Sequence, residues 1–363
     1  MEDLTKVLKT KTLIYSTTHD IWGGGLIYIE QLCTYMNKKG EETYIFSSQP
    51  ESFSCPTKKM ESVQSKKKRF FSALAIAKKY KKKNFKNVIL NDLSTLWLAP
   101  IFKMYGYNVI SLLHLYLQKR TENLFGHSLF EYYLLKFTSK FCDNIFSVGK
   151  NNLEVFGKDR VKFIGNYVPD WFFDAPKKKD SKKYDFILIA RLSREKNIPL
   201  FLELLKNMNN NSDRKYNALI VGKGPEKKNI EDIIFKKGLK NNVVLQDWVE
   251  RKELPAVYDL GNCFVISSYH EGFATTILES HARGIPSIVT KSSGFCREFV
   301  EEYNDVTGVI FEPKDLNSPE FYDNLAKFID ETKDYEKKCL TKAKIFSEKN
   351  VFEPILKALK LER

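Results

Sequence analysis

No apolar stretch in this 363-residue chain approaches the roughly 20 residues that a membrane-spanning helix needs. Cysteine is scarce. The six cysteines (33, 55, 142, 263, 296 and 339) are scattered with no C-x-x-C pair, which argues against a disulfide framework and a zinc site and suits reduced thiols in a cytosolic protein. Only five histidines are present, and His127, His270 and His281 lack ligand-like spacing with carboxylates, so no metal is expected. G-x-G-x-x-G is missing, and no acid stands at the ribose-reading position after the second strand-like run, so a nicotinamide site is poorly supported. There is no internal repeat at a solenoid period and no long low-complexity tract. The opening MEDLTKVLKTKTLIYS begins acidic and runs straight into a strand-like segment, so a signal peptide is not expected.

What is present fits a globular protein of two domains, with 43% hydrophobic residues. The net charge of +14 is uneven: residues 1–180 hold 29 Lys+Arg against 17 Asp+Glu, and most of the excess lies between Lys58 and Lys86. An anionic partner touching the first half is implied.

Apolar strand-like runs alternate with helix-like runs throughout, which predicts an α/β protein. In the first half, strands are expected over 12–17, 44–47, 88–90, 109–113 and 145–148. The first helix carries Leu26, Ile29, Cys33 and Met36 on one face and ends at Gly40; further helices are expected over 94–105 and 128–141. The lysine-rich break DWFFDAPKKKDSKK (170–183) reads as the interdomain linker. Beyond it, strands are expected over 186–190, 218–221, 243–245, 264–267, 287–289 and 309–311. The implied organisation is a first domain over 1–169, a second over 184–335, and terminal helices over 336–363 that pack back toward the first. Two doubly wound, Rossmann-like domains facing each other across a cleft are the economical architecture.

The most informative stretch is CFVISSYHEGFATTILESHARGIPSIVT, starting at Cys263. It reads as strand, loop, helix, strand. Parallel sheets bind ligands where strand carboxyl ends meet helix amino ends. Glu271 in the loop and Glu279 on the helix suit recognition of hydroxyls, while the helix's free N–H groups suit an anion. A ligand with both features is a sugar nucleotide. Other strand ends carry weaker signals. Gly23, Gly24 and Gly25 open the first helix, where glycine lets a backbone approach a phosphate or simply makes a turn. Arg191 and Lys196 follow a strand and can clamp a diphosphate or form a solvated charge cluster with Glu195. Gly222-Lys223-Gly224-Pro225 has the same two readings. His114 ends a strand and can meet a sugar hydroxyl, shuttle a proton or be structural. His19 is a weaker candidate.

Taken in order, ARLSREKN, VGKGPE, DLGNCFVISS and HEGFATTILESHARGIPSIVT, with FIGNYVPDWF before the break and the first glycine loop, resemble the retaining glycosyltransferases of the GT-B fold commonly called family 4. The hallmark E-x7-E is Glu271 to Glu279. The resemblance spans nearly the whole chain and is strongest over 185–300. It implies that Glu279 holds the ribose hydroxyls and Glu271 contacts the donor sugar. Arg191 and Lys196 would neutralise the departing diphosphate. The loop of Phe273, Ala274, Thr275 and Thr276 would offer backbone N–H groups, with Gly222 also on the donor side. Gly24 and Gly25 would close over the diphosphate, and His114 would stand near the donor sugar. No separate cofactor is implied, because the nucleotide sugar is a substrate. No D-x-D pair appears at a strand end, which disfavours a metal-dependent GT-A enzyme. The chain departs from the family pattern in LQDWVE, where a glycine is usual, and in SSGFCREFV, where only Gly294 and Glu298 match the usual Gly-Gly-x-x-Glu loop. It also departs at Asn91-Asp92.

The second unusual feature is the basic helix-like segment SKKKRFFSALAIAKKYKKKNF. Phe71, Leu74, Ala75 and Lys78 share a face, with cations at both ends. Such a helix can lie on anionic lipid, so an anionic membrane surface is an expected partner between Lys66 and Lys83. A core helix with solvated lysines is the alternative, and no recognised nucleic-acid motif accompanies it. The leading expectation is a hexosyltransferase moving sugar from a UDP-linked donor to a glycan or polyprenyl-linked acceptor in cell-surface polysaccharide synthesis, at the cytoplasmic face of the membrane. A GT-B epimerase or phosphorylase is one rival. A non-catalytic protein that binds membrane or nucleic acid is another.

Overall fold

The structure, a computed structural model, describes residues 11–16, 24–47, 60–62, 66–119, 127–177, 182–301 and 305–360. The chain divides into two compact units, Met1–Gly165 with Glu348–Arg363, and Asn166–Ser347.

The first unit is built from β1 (Lys11–Ser16), α1 (Gly24–Lys38), β2 (Glu42–Ser47), β3 (Met60–Ser62), α2 (Lys66–Lys81), β4 (Asn87–Asn91), α3 (Leu93–Leu96), α4 (Ala99–Met104), β5 (Asn108–Leu113), α5 (Leu129–Thr138), β6 (Asn144–Ser147), α6 (Asn151–Phe156) and β7 (Val161–Phe163). The strands are parallel, in the order β3-β2-β1-β4-β5-β6-β7. The winding direction reverses between β1 and β4. β4 is short and wholly buried, as a strand covered on both faces must be. Ile29, Cys33 and Met36 of α1 are fully buried. Gly40 ends that helix at φ +86°, its N–H bonded to the Asn37 carbonyl and that of Glu41 to the Met36 carbonyl. The expected single helix over 94–105 is two helices, because Pro100 in the first turn of α4 starts a new one. β3 and β7, three residues each, were not expected.

The second unit comprises α7 (Asp170–Asp174), β8 (Tyr184–Ile189), α8 (Ile198–Asn210), β9 (Ala218–Val221), α9 (Lys227–Lys236), β10 (Val243–Gln246), α10 (Leu254–Tyr258), β11 (Gly261–Ile266), α11 (Thr275–Ala282), β12 (Ser287–Thr290), α12 (Phe295–Glu301), β13 (Gly308–Phe311), α13 (Pro319–Asp330) and α14 (Glu336–Ile345). Its parallel order is β10-β9-β8-β11-β12-β13, reversing between β8 and β11. All six strands fall where the sequence places them. Phe201, Leu202, Leu205 and Met208 of α8 pack into the core with Phe186 and Ile220.

Two boundaries differ from expectation. The segment at 170–183 does not begin as a linker: α7 lies within the second unit. Phe172 is fully buried, 5.8 Å from the Tyr258 ring. Arg283 Nη1 donates to the Phe172 and Ala175 carbonyls, and Nε and Nη2 grip both Asp259 carboxylate oxygens at 2.9 and 2.7 Å. The lysines beyond it, over 178–181, lie outside the described residues. The C-terminal helices also part: α14 belongs to the second unit, whereas the last helix, α15 (Glu348–Lys360), belongs to the first. There Asn108 Nδ2 donates to the Ala358 carbonyl, Tyr35 Oη to Glu353, and Phe352 meets Tyr28 edge-on.

Arg283 and Asp259 are almost wholly buried, so removing one leaves a buried charge. Arg283→Ala is expected to lower unfolding free energy by about 3–5 kcal/mol, measured by urea denaturation. A loss within error of zero would show that the pair does not hold α7 in place.

Candidate active site

The carboxyl ends of β8 and β11 stand side by side where the second sheet reverses, the position at which doubly wound sheets bind ligands. Two loops meet there. After β8 the chain passes Arg191 and makes a 3-10 turn over Arg194–Lys196. After β11 it runs through Ser267 and Ser268 to Glu271. Lys196 Nζ lies 2.5 Å from Glu271 Oε1, and Ser268 Oγ donates to the same oxygen at 2.8 Å. Ser267 Oγ donates to the Lys196 carbonyl at 2.8 Å, and the Tyr269 N–H to the Glu195 carbonyl at 2.9 Å. Lys196 retains two further N–H protons, and among the described residues no hydrogen bond reaches Glu271 Oε2.

Glu279 sits in the second turn of α11 and is buried. Tyr258 Oη donates to its Oε2 at 2.9 Å. Burial raises its carboxyl above the usual range, opposed by the nearby Arg251 charge and by the Tyr258 hydrogen bond. Burial and the Glu279 charge push the Tyr258 phenol well up. Arg251, in the 3-10 turn after β10, is therefore a cation of this neighbourhood that sequence reasoning did not single out.

The remaining second-unit candidates divide. Arg191 is exposed beside the loop. Thr275 and Thr276, both half-buried, open α11, which has no side-chain cap at its amino end. Ala274 N–H is directed at Cys296 Sγ, 3.3 Å away. Phe273 contributes no side chain to the site: it is buried against Phe295, Phe299 and Phe346, and its carbonyl accepts from Asn166. Gly222 has a packing cause, because a Cβ there would lie 1.9 Å from the Ala190 carbonyl oxygen. Gly294 gains importance. It sits at φ +57°, and a Cβ would lie 2.1 Å from the Glu271 carbonyl oxygen, so the loop before α12 braces the backbone of Glu271. His281 is a core residue: Nε2 meets Thr307 Oγ1 at 2.9 Å, and burial, then Lys342, pushes its imidazole down to about 3.

In the first unit, His114 follows β5. Its Nε2 lies 2.9 Å from Asn91 Oδ1, while Asn91 Nδ2 donates to Ser16 Oγ at 2.9 Å. That network, which spans the reversal between β1 and β4, assigns the proton to Nε2 and leaves Nδ1 as an acceptor. The Tyr28 ring packs edge-on to it at 4.8 Å. Burial lowers the imidazole pKa and Asp92 opposes this. Asp92 holds φ +76° and caps α3 through its carboxylate. Gly24 and Gly25 open α1 as expected; Gly23 and His19 lie outside the described residues.

Residues 169–345, nearly the whole second unit, match the family model described as glycosyl transferases group 1. An uncharacterized glycosyltransferase of Methanocaldococcus jannaschii is 25% identical over 173 residues, covering 44% of this chain and 43% of its own. An N-acetyl-D-galactosaminyltransferase of Campylobacter jejuni, whose name specifies a PP-undecaprenol-linked glycan, is 25% identical over 154 residues, 41% of each chain. The matches thus span less than half the length of these relatives. Anabaena HepE in complex with UDP superposes with a TM-score of 0.76 at 16% identity, covering 96% of this chain and 99% of that one. The likeness shows the fold, the pair of doubly wound domains of the GT-B type.

A carboxyl whose folded-state pKa is raised favours folding below its unfolded value, and that contribution is lost as pH rises through the folded value. Above the unfolded value the wild type therefore carries the cost of burying this carboxyl, as a charge or by holding its proton. Glu279→Gln, which still accepts from Tyr258, is expected to be as stable as or more stable than wild type at about pH 7, with the difference shrinking toward about pH 4. Urea denaturation across that range checks it; a variant less stable at neutral pH would contradict the assignment.

Proposed function

We propose that this protein is a retaining glycosyltransferase that moves a hexose-type sugar from a nucleotide sugar, UDP-linked, to a lipid-linked glycan acceptor in cell-surface polysaccharide synthesis. The observation that carries this reading is the Lys196–Glu271 pair at the sheet reversal, with Glu279 on the helix that the Glu271 loop leads into. A diphosphate and a sugar need different partners a few ångströms apart, and the pair supplies both. Lys196 has protons left for phosphate oxygens while Glu271 Oε2 accepts from sugar hydroxyls.

The chemistry follows from charge. As the anomeric carbon–oxygen bond breaks, negative charge accumulates on the diphosphate and positive charge on the ring. Arg191, Lys196 and the amino end of α11 oppose the first charge, and the Glu271 carboxylate opposes the second. Glu279, fixed by Tyr258, suits the ribose hydroxyls. The acceptor hydroxyl attacks from the leaving-group face and passes its proton to the departing phosphate oxygen, so configuration is retained with no enzyme nucleophile. In the first unit His114, with Nδ1 as an acceptor, suits a sugar hydroxyl, and Gly24 and Gly25 suit close approach of backbone to an anion. The relative from Campylobacter jejuni supports a lipid-linked acceptor, and the cations between Lys66 and Lys83 support work at an anionic, cytoplasmic membrane face.

Nucleoside diphosphates are expected to raise the melting temperature by mass action, with about 2.7 kcal/mol of stabilisation at a hundred times the dissociation constant. Glu279→Ala should weaken their binding at least tenfold by calorimetry while the fold persists. Equal binding by both proteins would refute the site. Turnover of UDP-sugar to an isomer with no acceptor present would make the protein an epimerase instead.

A further inference from the structure

Helix α5 is unusual for a surface helix. Its sequence, LFEYYLLKFT, is apolar around most of its girth, yet only Leu135 and Thr138 are buried. Phe130 is 76% exposed, Tyr133 56%, Leu134 37% and Phe137 56%. These four lie at i, i+3, i+4 and i+7 and so form one outward stripe. Leu129, 62% exposed, flanks it. Scattered exposed apolar residues are ordinary, whereas a contiguous stripe marks a contact surface.

The stripe has basic surroundings. Lys119, Lys136 and Lys140 are exposed, with the Lys119 ammonium 5.2 and 5.3 Å from the Tyr132 and Tyr133 ring centres. Toward α2, Trp97 packs against both hydrophobic clusters of this sheet face, the one holding α2 and α4 and the one holding α5. Phe70 of α2 stacks on Trp97 with ring centres 6.3 Å apart. The core face of α2 is Arg69, Ala73, Ile76, Ala77 and Tyr80, so Phe71, Ala75 and Lys78 face outward. Aromatic side chains are thus exposed beside a dense set of ammonium groups.

We propose that the α5 stripe is the apolar element by which the first unit docks on an anionic lipid surface, with the outward lysines of α2 supplying the electrostatic attraction. This rests on the membrane part of the reading above and not on its sugar chemistry. Amphipathic helices bind interfaces by burying aromatic and leucine side chains while lysines hold headgroups. Tyr133, apolar in body and polar at its tip, suits that depth. Charge complementarity selects the occupant. A second copy would bring the same ammonium groups against these, whereas anionic headgroups neutralise them at about 1 kcal/mol per basic residue.

The test is flotation of the full-length protein with vesicles of pure phosphatidylcholine or of phosphatidylcholine with phosphatidylglycerol, in the absence of any sugar nucleotide. Wild type should float with the anionic vesicles at least tenfold more than with the neutral ones. F130S/F137S and K78E/K82E should each lose at least about tenfold in partitioning, with unchanged circular dichroism and nucleoside diphosphate binding. Full flotation of F130S/F137S would overturn the role of α5 while leaving the basic face intact. Equal flotation of wild type with both vesicle types, or none with either, would overturn the proposal without touching the donor site. A wild-type dimer that F130S/F137S converts to monomer, without lipid binding, would make the stripe a self-association face and also overturn it. Failure of nucleoside diphosphates to bind wild type would count against the sugar chemistry alone.

Discussion

The second unit turns on one ion pair, Lys196 with Glu271, formed by residues 75 positions apart. Each sits on a loop with little structure of its own, and each is fixed by the other's neighbours. Ser267 holds the Lys196 carbonyl, Ser268 holds the Glu271 carboxylate, and Tyr269 holds the Glu195 carbonyl. The arrangement depends on backbones coming closer than any side chain allows. Gly222 and Gly224 let the loop after β9 press on the loop after β8, and Gly294 lets the loop before α12 press on Glu271. Four strand-end loops, those after β8, β9, β11 and β12, are thereby packed into one support, so the pair is held from several sides.

Around α11 the unit buries an unusual number of polar groups. Glu279 meets Tyr258, Arg283 meets Asp259, and His281 meets Thr307. Lys342 donates to the Phe299 carbonyl and to Thr307 Oγ1, and burial lowers its ammonium to about 8. Each group is satisfied, which keeps the network from being a liability. Glu279 is the costly member: among the described residues one hydrogen bond, from Tyr258, reaches its carboxylate, and burial raises its pKa.

Much of this was legible in the sequence. The strands of the second unit stand out because each is a short β-branched or apolar run bounded by glycine or polar loops. The E-x7-E spacing places Glu271 in the loop after β11 and Glu279 on the helix that follows, and both stand there. Three things were hidden. β3 and β7 are three-residue strands such as Met-Glu-Ser, with no periodicity to detect. The helical start of the 170–183 segment is hidden among lysines, because composition does not reveal that Phe172 is buried. Which cation meets Glu271 is a tertiary fact: Arg191 and Lys196 look equivalent in sequence, yet Lys196 makes the contact and Arg191 is exposed.

The return of α15 to the first unit carries a consequence for how the protein is made. The chain leaves the ribosome amino end first, and domains generally fold as units while synthesis proceeds. Here Tyr28, Tyr35 and Asn108 wait for Phe352, Glu353 and Ala358. Residues 166–347 have all their own strands before those partners are translated. The half made first is therefore the half completed last, and an early stop codon near the end would injure the beginning of the protein.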